Sequence, residues 1–201
     1  EDALAIKEQF KEFLGKALHL EMSDEKTKIM HGTDKARFLG YDITTSKNSA
    51  LMYDKKHQLR KTHTGVIKLY APRDKWQRKL MEYGALSIRY GEDGKEIWDS
   101  KHRGNMVHMT DVEIVSTVNA EIRGMYNYYS IANNATVIKN FAFILEYSMY
   151  KTFGLKYRKS VYKIQRKFRK NGIFCVPYNT KAGLKYCEFY HDGFKHKKDT
   201  C

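Results

Sequence analysis

The side chains best suited to bind something are five cations. Lys159, Lys163, Arg166, Lys167 and Lys170 recur at three- and four-residue spacings in a stretch that reads as a helix over residues 157–171. With Lys163 at zero and 100° per residue, the other four fall within about 60° of it. Tyr157, Val161, Ile164 and Phe168 fall between about 100° and 160°, on the opposite side. The basic stripe contains no acid. Like charges at this spacing repel by roughly 0.2–0.5 kcal/mol per pair. A phosphate backbone would relieve that repulsion, so the pattern points to nucleic acid. A solvated helix face is the alternative.

A second group lies in Thr110–Tyr129. Thr110 followed by Glu113 makes a capping box at a helix start. Val112, Val115, Val118, Ile122, Met125 and Tyr129 share one face, and Arg123 and Asn127 share another. Gly124 costs about 1 kcal/mol in a helix interior, so it calls for a reason such as close approach of another backbone. A core helix with a polar rim is the bland reading.

Other groups carry less. Cys187, His191, His196 and Cys201 have donor atoms that suit zinc, but their spacing matches no zinc-binding pattern, and no metal site is assigned. His57, His63, His102 and His108 fall in expected loops without a nucleophile beside them. There is no glycine-rich phosphate loop. The net charge of +14 is uneven: residues 151–201 hold 14 Lys/Arg against 3 Asp/Glu. That concentration favours a polyanionic partner, and 15 tyrosines supply rings that can stack on bases. No apolar run approaches a membrane span. Three cysteines cannot all pair within one chain, which points to a reducing compartment. The start at Glu1 without methionine suggests a trimmed piece.

The elements that position these groups follow in order. Asp2 to about Leu18 reads as a helix with Leu4, Phe10, Phe13, Leu14 and Leu18 on one stripe and Lys7, Lys11 and Lys16 toward water. Strands are expected at about Thr27–His31 and Phe38–Thr45, with Gly32–Lys35 as the turn between them. Ser46–Leu59 reads as a loop. Val66–Tyr70 is an expected strand, Pro72 begins a helix that Gly84 ends, and Gly91–Gly94 is a turn. Asn133 or Asn134 is expected to cap a helix over Val137–Phe153, apolar nearly all round and ended by Gly154. Ile173–Pro177 and Lys185–Tyr190 read as a closing strand pair, and Lys195, Lys197 and Lys198 extend the basic surface.

Three motifs in this order resemble one family. Glu121-Ile-Arg-Gly-Met-Tyr-Asn-Tyr-Tyr129 resembles the maturase, or thumb, signature of group II intron-encoded reverse transcriptases. Leu20–Ile29 resembles the sixth sequence block of reverse transcriptases, and Ala36-Arg-Phe-Leu-Gly-Tyr-Asp-Ile43 resembles the seventh. The resemblance covers essentially the whole chain. It implies an α+β fold: the end of a polymerase palm, with helix and β-hairpin, then a mainly helical thumb of about three helices with a short C-terminal β-pair. The corresponding divisions are 1–72 for the palm, 73–109 for the connection and 110–201 for the thumb.

By the same resemblance, Lys26 is a candidate proton donor to the leaving pyrophosphate; a solvated turn lysine is the alternative. Phe38, Leu39, Gly40 and Tyr41 would form the primer grip. Arg123, Asn127 and Tyr128 carry over as structural or RNA-contacting residues. The implied partners are group II intron RNA and an RNA template–DNA primer duplex, with target DNA and a homodimer left open and no membrane. The family's Tyr-Ala-Asp-Asp element, which binds the magnesium ions of polymerisation, lies upstream of the sixth block. No cofactor is therefore expected in this chain, Mg2+ is expected for the longer polymerase, and the chain alone should not polymerise. A bacterial cytoplasmic ribonucleoprotein is the implied setting, with an organelle as the alternative. Two other readings stay open: a free-standing RNA-binding splicing factor without polymerase activity, and a DNA target-binding module.

Overall fold

The fold was read from a computed structural model, which describes residues 2–46, 51–61 and 65–197. It is an α+β chain of two compact units. The first comprises Glu1–Arg37 and Ile43–Ile67, the second Phe38–Asp42 and Lys68–Cys201.

The first unit opens with α1 (Asp2–Leu18), in which no residue is buried. The expected apolar stripe is present, but Leu4, Phe10 and Phe13 are each more than half exposed. Lys7 does not simply face water: with Lys11 it holds Asp24, at 3.0 and 3.4 Å. These ammonium groups keep the Asp24 carboxyl below its ordinary pKa, the Lys7 hydrogen bond contributing most. The expected strand at Thr27–His31 does not form. The chain turns at residues 24–26 and again at 32–34, with the Thr27 amide on the Ser23 carbonyl (3.0 Å) and the Asp34 amide on the His31 carbonyl (2.8 Å), and residues 27–31 between them are in no regular element. The hairpin is instead β1 (Ala36–Phe38) and β2 (Tyr41–Thr45), which join β5 (Ile67–Tyr70) in the order β1-β2-β5. Its turn is Leu39-Gly40, not Gly32–Lys35.

The stretch read as a loop also differs. Leu51–Tyr53 (β3) pairs antiparallel with Leu59–Lys61 (β4); residues 47–50 lie outside the described part. Asp54 organises this turn, its carboxylate accepting from the amides of Lys56 and Gln58 at 2.8 and 3.0 Å. Leu51, Met52, Tyr53 and Leu59 are all exposed, so these strands lack the alternation that betrays a half-buried strand.

The second unit holds the core. Helix α2 (Arg73–Glu82) follows Pro72 and stops at Gly84, as expected. A hairpin not foreseen beyond its turn, β6 (Leu86–Tyr90) and β7 (Glu96–Ser100), comes next. Helices α3 (Asp111–Tyr129) and α4 (Ile138–Tyr157) form the centre. The Thr110–Glu113 capping box is complete in both directions. Ile114, Val115, Val118 and Ile122 of α3 meet a core to which Phe141, Leu145 and Phe153 of α4 contribute, all essentially inaccessible. Each such side chain contributes about 1.5–3 kcal/mol by leaving water.

Two helix ends depart from expectation. Asn133 and Asn134 do not cap α4; their side-chain oxygens accept from the amides of Leu69 (2.9 Å) and Ala71 (2.7 Å), pairing with the strand edge. Helix α4 begins after a short 3-10 turn at Ala135–Val137. Gly154 does not end α4, which runs on to Tyr157. Arg158 ends it by adopting φ +50°. Gly154 is required because the Lys159 carbonyl would lie 2.9 Å from a Cβ there.

After α4 come α5 (Val161–Phe168) and the sheet β8 (Arg169–Lys170), β9 (Ile173–Thr180) and β10 (Gly183–Glu188), ordered β10-β9-β8. Cys187 pairs in register with Val176, one position off Cys175, so the two cysteines point to opposite faces and stay free thiols. No helix among the described residues is long and apolar enough to cross a membrane.

Candidate nucleic-acid interface

Helix α5 has the two-sided character its sequence predicts, over a shorter span. Ser160 caps it, its side chain accepting from the Lys163 amide at 3.4 Å. Ile164 and Phe168 are buried, and the Phe168 ring packs 5.5 Å from both Phe153 and Phe174. Lys163, Arg166 and Lys167 are exposed on the other side. The expected bounds of 157–171 fail at both ends. Tyr157 belongs to α4. At the far end Asn171 and Gly172, both with positive φ, fold Arg169 and Lys170 back onto Phe174 and Ile173 as β8.

Lys159 therefore sits in the preceding turn and Lys170 on a strand. Both remain exposed. Lys170 places its Nζ 4.1 Å over the Tyr186 ring, and Lys167 lies 4.7 Å over Tyr157. Among the described residues none of the five cations makes an ion pair with a carboxylate. The patch keeps its unbalanced charge, with Tyr162 standing 70% exposed within it.

The foundation of α5 is rigid. Tyr157 donates its hydroxyl to the Asp111 carboxylate at 2.6 Å, and Lys156 pairs with the same carboxylate at 2.8 Å. The end of α4 is thereby tied to the start of α3. Burial, then the bond to Asp111, pushes the Tyr157 hydroxyl up to about 12.

The second predicted group divides. Arg123, Gly124, Asn127 and Tyr128 are all exposed on α3. Gly124 has nothing within 4 Å of a would-be Cβ, so close approach of another backbone is not its reason. Instead, Ala120 and Gly124 line an open groove of about 550 Å3 whose lining also includes Lys75 and Arg78 of α2. Glu121 beside them is not free: Arg103 grips it through two bonds of 2.7 and 2.8 Å, and both side chains are nearly buried. Neither this pair nor the basic residues of α2 was singled out by sequence. Lys75 and Arg78 lie three apart, but nothing local says that they face α3. Arg123 lines a different, polar pocket with Tyr178 and His191.

The β1–β2 turn meets the end of α3. Leu39 and Gly40 both have positive φ (+45° and +77°), the signature of a two-residue primed turn. Three tyrosines hold it. Tyr128 donates its hydroxyl to the Leu39 carbonyl, Tyr129 donates to the Gly40 carbonyl at 3.1 Å, and Tyr41 donates to the Tyr128 carbonyl. Tyr41 also stacks on Tyr128 with centroids 5.4 Å apart, and its hydroxyl pKa is raised by burial first and by Tyr128 second. Leu39, Gly40 and Tyr41, predicted as one group, are thus brought against Tyr128, predicted as another. Phe38 and Leu39 expose 61% and 72% of their surface.

Lys26 is exposed on the turn Asp24–Lys26 of the first unit. The zinc-like quartet does not assemble among the described residues: the Cys187 thiol lies 3.6 Å from the Ser116 hydroxyl, and His196 Nδ1 lies 3.0 Å from the Ala132 carbonyl. Cys201, Lys198 and His63 lie outside the described residues. No cluster of three His, Cys, Asp or Glu side chains gathers elsewhere among the described residues.

Comparison with known proteins places this architecture. The type II intron maturase family pattern matches residues 64–199. The group II intron-encoded protein LtrA of Lactococcus lactis subsp. cremoris is 34% identical over 184 residues, which are 91% of this chain and 30% of LtrA. An uncharacterized 91 kDa protein in a cob intron of Schizosaccharomyces pombe is 34% identical over 63% of this chain and 15% of its own length. A putative COX1/OXI3 intron 2 protein of Saccharomyces cerevisiae is 29% identical over 84% of this chain and 20% of its own. The chain thus spans less than a third of each of these relatives.

Proposed function

This chain belongs to the type II intron maturase family, and from that membership we propose that its second unit is the RNA-gripping part of a group II intron maturase and reverse transcriptase. The longer protein would help its intron RNA splice and copy RNA into DNA, with Mg2+ held by residues upstream of the sixth block. The exposed cations around α5 would hold phosphates of intron RNA during splicing and of the template–primer duplex during copying. The Leu39-Gly40 turn, braced by Tyr128 and Tyr129, would present Phe38 and Leu39 to the primer end, and Lys26 would donate a proton to pyrophosphate. Target DNA and a second copy of the protein are further partners of this reading. A bacterial cytoplasmic ribonucleoprotein is its setting.

One observation carries the proposal. A row of cations without partner carboxylates among the described residues is fixed by a buried apolar side onto the core. Such a row is unfavourable until a polyanion arrives. Binding of the 201-residue chain to a group II intron RNA and to an unrelated RNA duplex of equal length, each across a salt series, tests it. Steep salt dependence with tighter binding of the intron RNA is expected. Absence of binding to either RNA would overturn the reading.

A further inference from the structure

Helix α4 leaves one side out of the core. Lys139, Ala142, Phe143 and Glu146 recur at three- and four-residue spacings and so share a face. Phe143 is 56% exposed, and its ring stands 4.8 Å from that of Tyr147, which is exposed as well. With the segment Phe189–Lys195 this face lines an open pocket of about 520 Å3. Both walls belong to the second unit.

The wall opposite α4 is built before anything binds. Asn119 accepts from the Tyr190 amide at 2.7 Å, and the Tyr126 hydroxyl donates to the Lys195 carbonyl at 2.8 Å. The Lys197 amide donates to the Ser130 carbonyl, also at 2.8 Å. The segment is thereby tied along α3. Phe194 packs edge-on against Tyr126 with centroids 5.4 Å apart, and lies 5.3 Å from Tyr190. A wall held in this way needs little reordering to accept a ligand.

The lining combines the aromatic residues Phe143, Phe189 and Phe194 with Lys139 and Lys195, both exposed. Aromatic walls beside lysines suit an unpaired base, which can stack while the phosphates on either side of it stay on cations. Among the described residues neither lysine is paired with a carboxylate. That favours an occupant carrying anions beside an apolar ring over a neutral apolar side chain. Glu146 and Asp192 also line the pocket, and Glu146 accepts the hydroxyl of Tyr150. Two carboxylates disfavour a phosphate inside, so the cavity suits the uncharged base itself.

We propose that the pocket between α4 and the Phe189–Lys195 segment receives one unpaired base of the bound RNA, stacked on Phe143, with the flanking phosphates on Lys139 and Lys195. This rests on the RNA-binding reading above. It adds a site that α5 does not line and that responds to an unpaired base as well as to charge.

The test uses three hairpin RNAs: fully paired, with one bulged adenosine, and with that bulge made abasic. The two bulged hairpins carry the same phosphates and differ only in the base. Affinities for the 201-residue chain are read by fluorescence anisotropy. The adenosine bulge should bind about tenfold tighter than the abasic one, with the paired hairpin near the abasic level. Phe143→Ala should bring the adenosine-to-abasic ratio close to one, and Phe143→Trp should keep it; thermal melts check that both variants fold. Lys139→Gln should weaken the two bulged hairpins alike. Equal binding of adenosine and abasic bulges by the parent chain, still steep in salt, would overturn the pocket while leaving RNA binding intact. So would an unchanged ratio in Phe143→Ala. If none of the hairpins binds, the RNA-binding reading falls and the pocket with it.

Discussion

The hydroxyl of Tyr129 donates to the carbonyl of Gly40 at 3.1 Å, across 89 positions of sequence. Beside it, a Cβ on Gly40 would lie 2.9 Å from the Tyr128 hydroxyl, at a φ of +77°. Gly40→Ala therefore combines backbone strain with displacement of the Tyr128 bond to Leu39. It should cost about 1–3 kcal/mol, read by denaturant unfolding. Tyr129→Phe removes one partly buried bond and should cost about 1 kcal/mol. If Gly40→Ala proves neutral, the turn is not held as described.

The Arg103–Glu121 pair is nearly buried and makes two parallel hydrogen bonds. Removing one partner strands the other charge. Arg103→Met should cost about 3–5 kcal/mol, whereas Arg103→Met with Glu121→Leu should recover much of the loss. Urea unfolding of the single and double variants checks this. Equal losses in both would mean that the charges are solvated.

Gly154 and Gly124 should answer alanine in opposite ways. Gly154→Ala brings a Cβ to 2.9 Å from a backbone carbonyl and should destabilise, whereas Gly124→Ala meets nothing within 4 Å. Gly124→Ala should therefore stabilise the exposed helix by up to about 1 kcal/mol. If the groove beside Gly124 receives RNA, that stabler variant should bind RNA more weakly. Thermal melts and RNA affinity separate the two effects.

Glu113 gives α3 an acid-sensitive start. The Thr110 backbone amide, then the Thr110 hydroxyl, holds its carboxyl below the usual glutamate value. The folded value is lowered, so the stabilisation is present above the unfolded pKa. It is lost as pH falls from that value through the folded one. Glu113→Gln should flatten this limb of the stability–pH curve. An identical acid limb in the variant would contradict the assignment.

What sequence made legible was local. The Thr110–Glu113 box, the buried side of α5 and the Pro72 start of α2 each depend on residues within one or two turns. The turn at Leu39-Gly40 was not legible, because leucine disfavours positive φ and the compensating tyrosines are 89 residues away. Asn133 and Asn134 look like helix caps by type, yet a strand edge claims their side chains. Arg158 in the left-handed region ended α4 and excluded Lys159 from α5, and no residue preference announces an arginine there. The five cations were legible as a group because charge survives such errors in helix bounds. The pocket holding Arg123 was not, because α3 and β10 meet only in three dimensions.

The most direct test of the account is the salt dependence of intron-RNA binding with Lys159, Lys163 and Arg166 all changed to Glu. Lys167 is left in place because it covers the Tyr157 and Phe168 rings. Loss of up to three phosphate contacts should weaken binding and flatten the slope of log affinity against log salt by roughly 2–3. A variant that melts like the parent and binds with the parent's affinity and slope would contradict the assignment of this face to RNA.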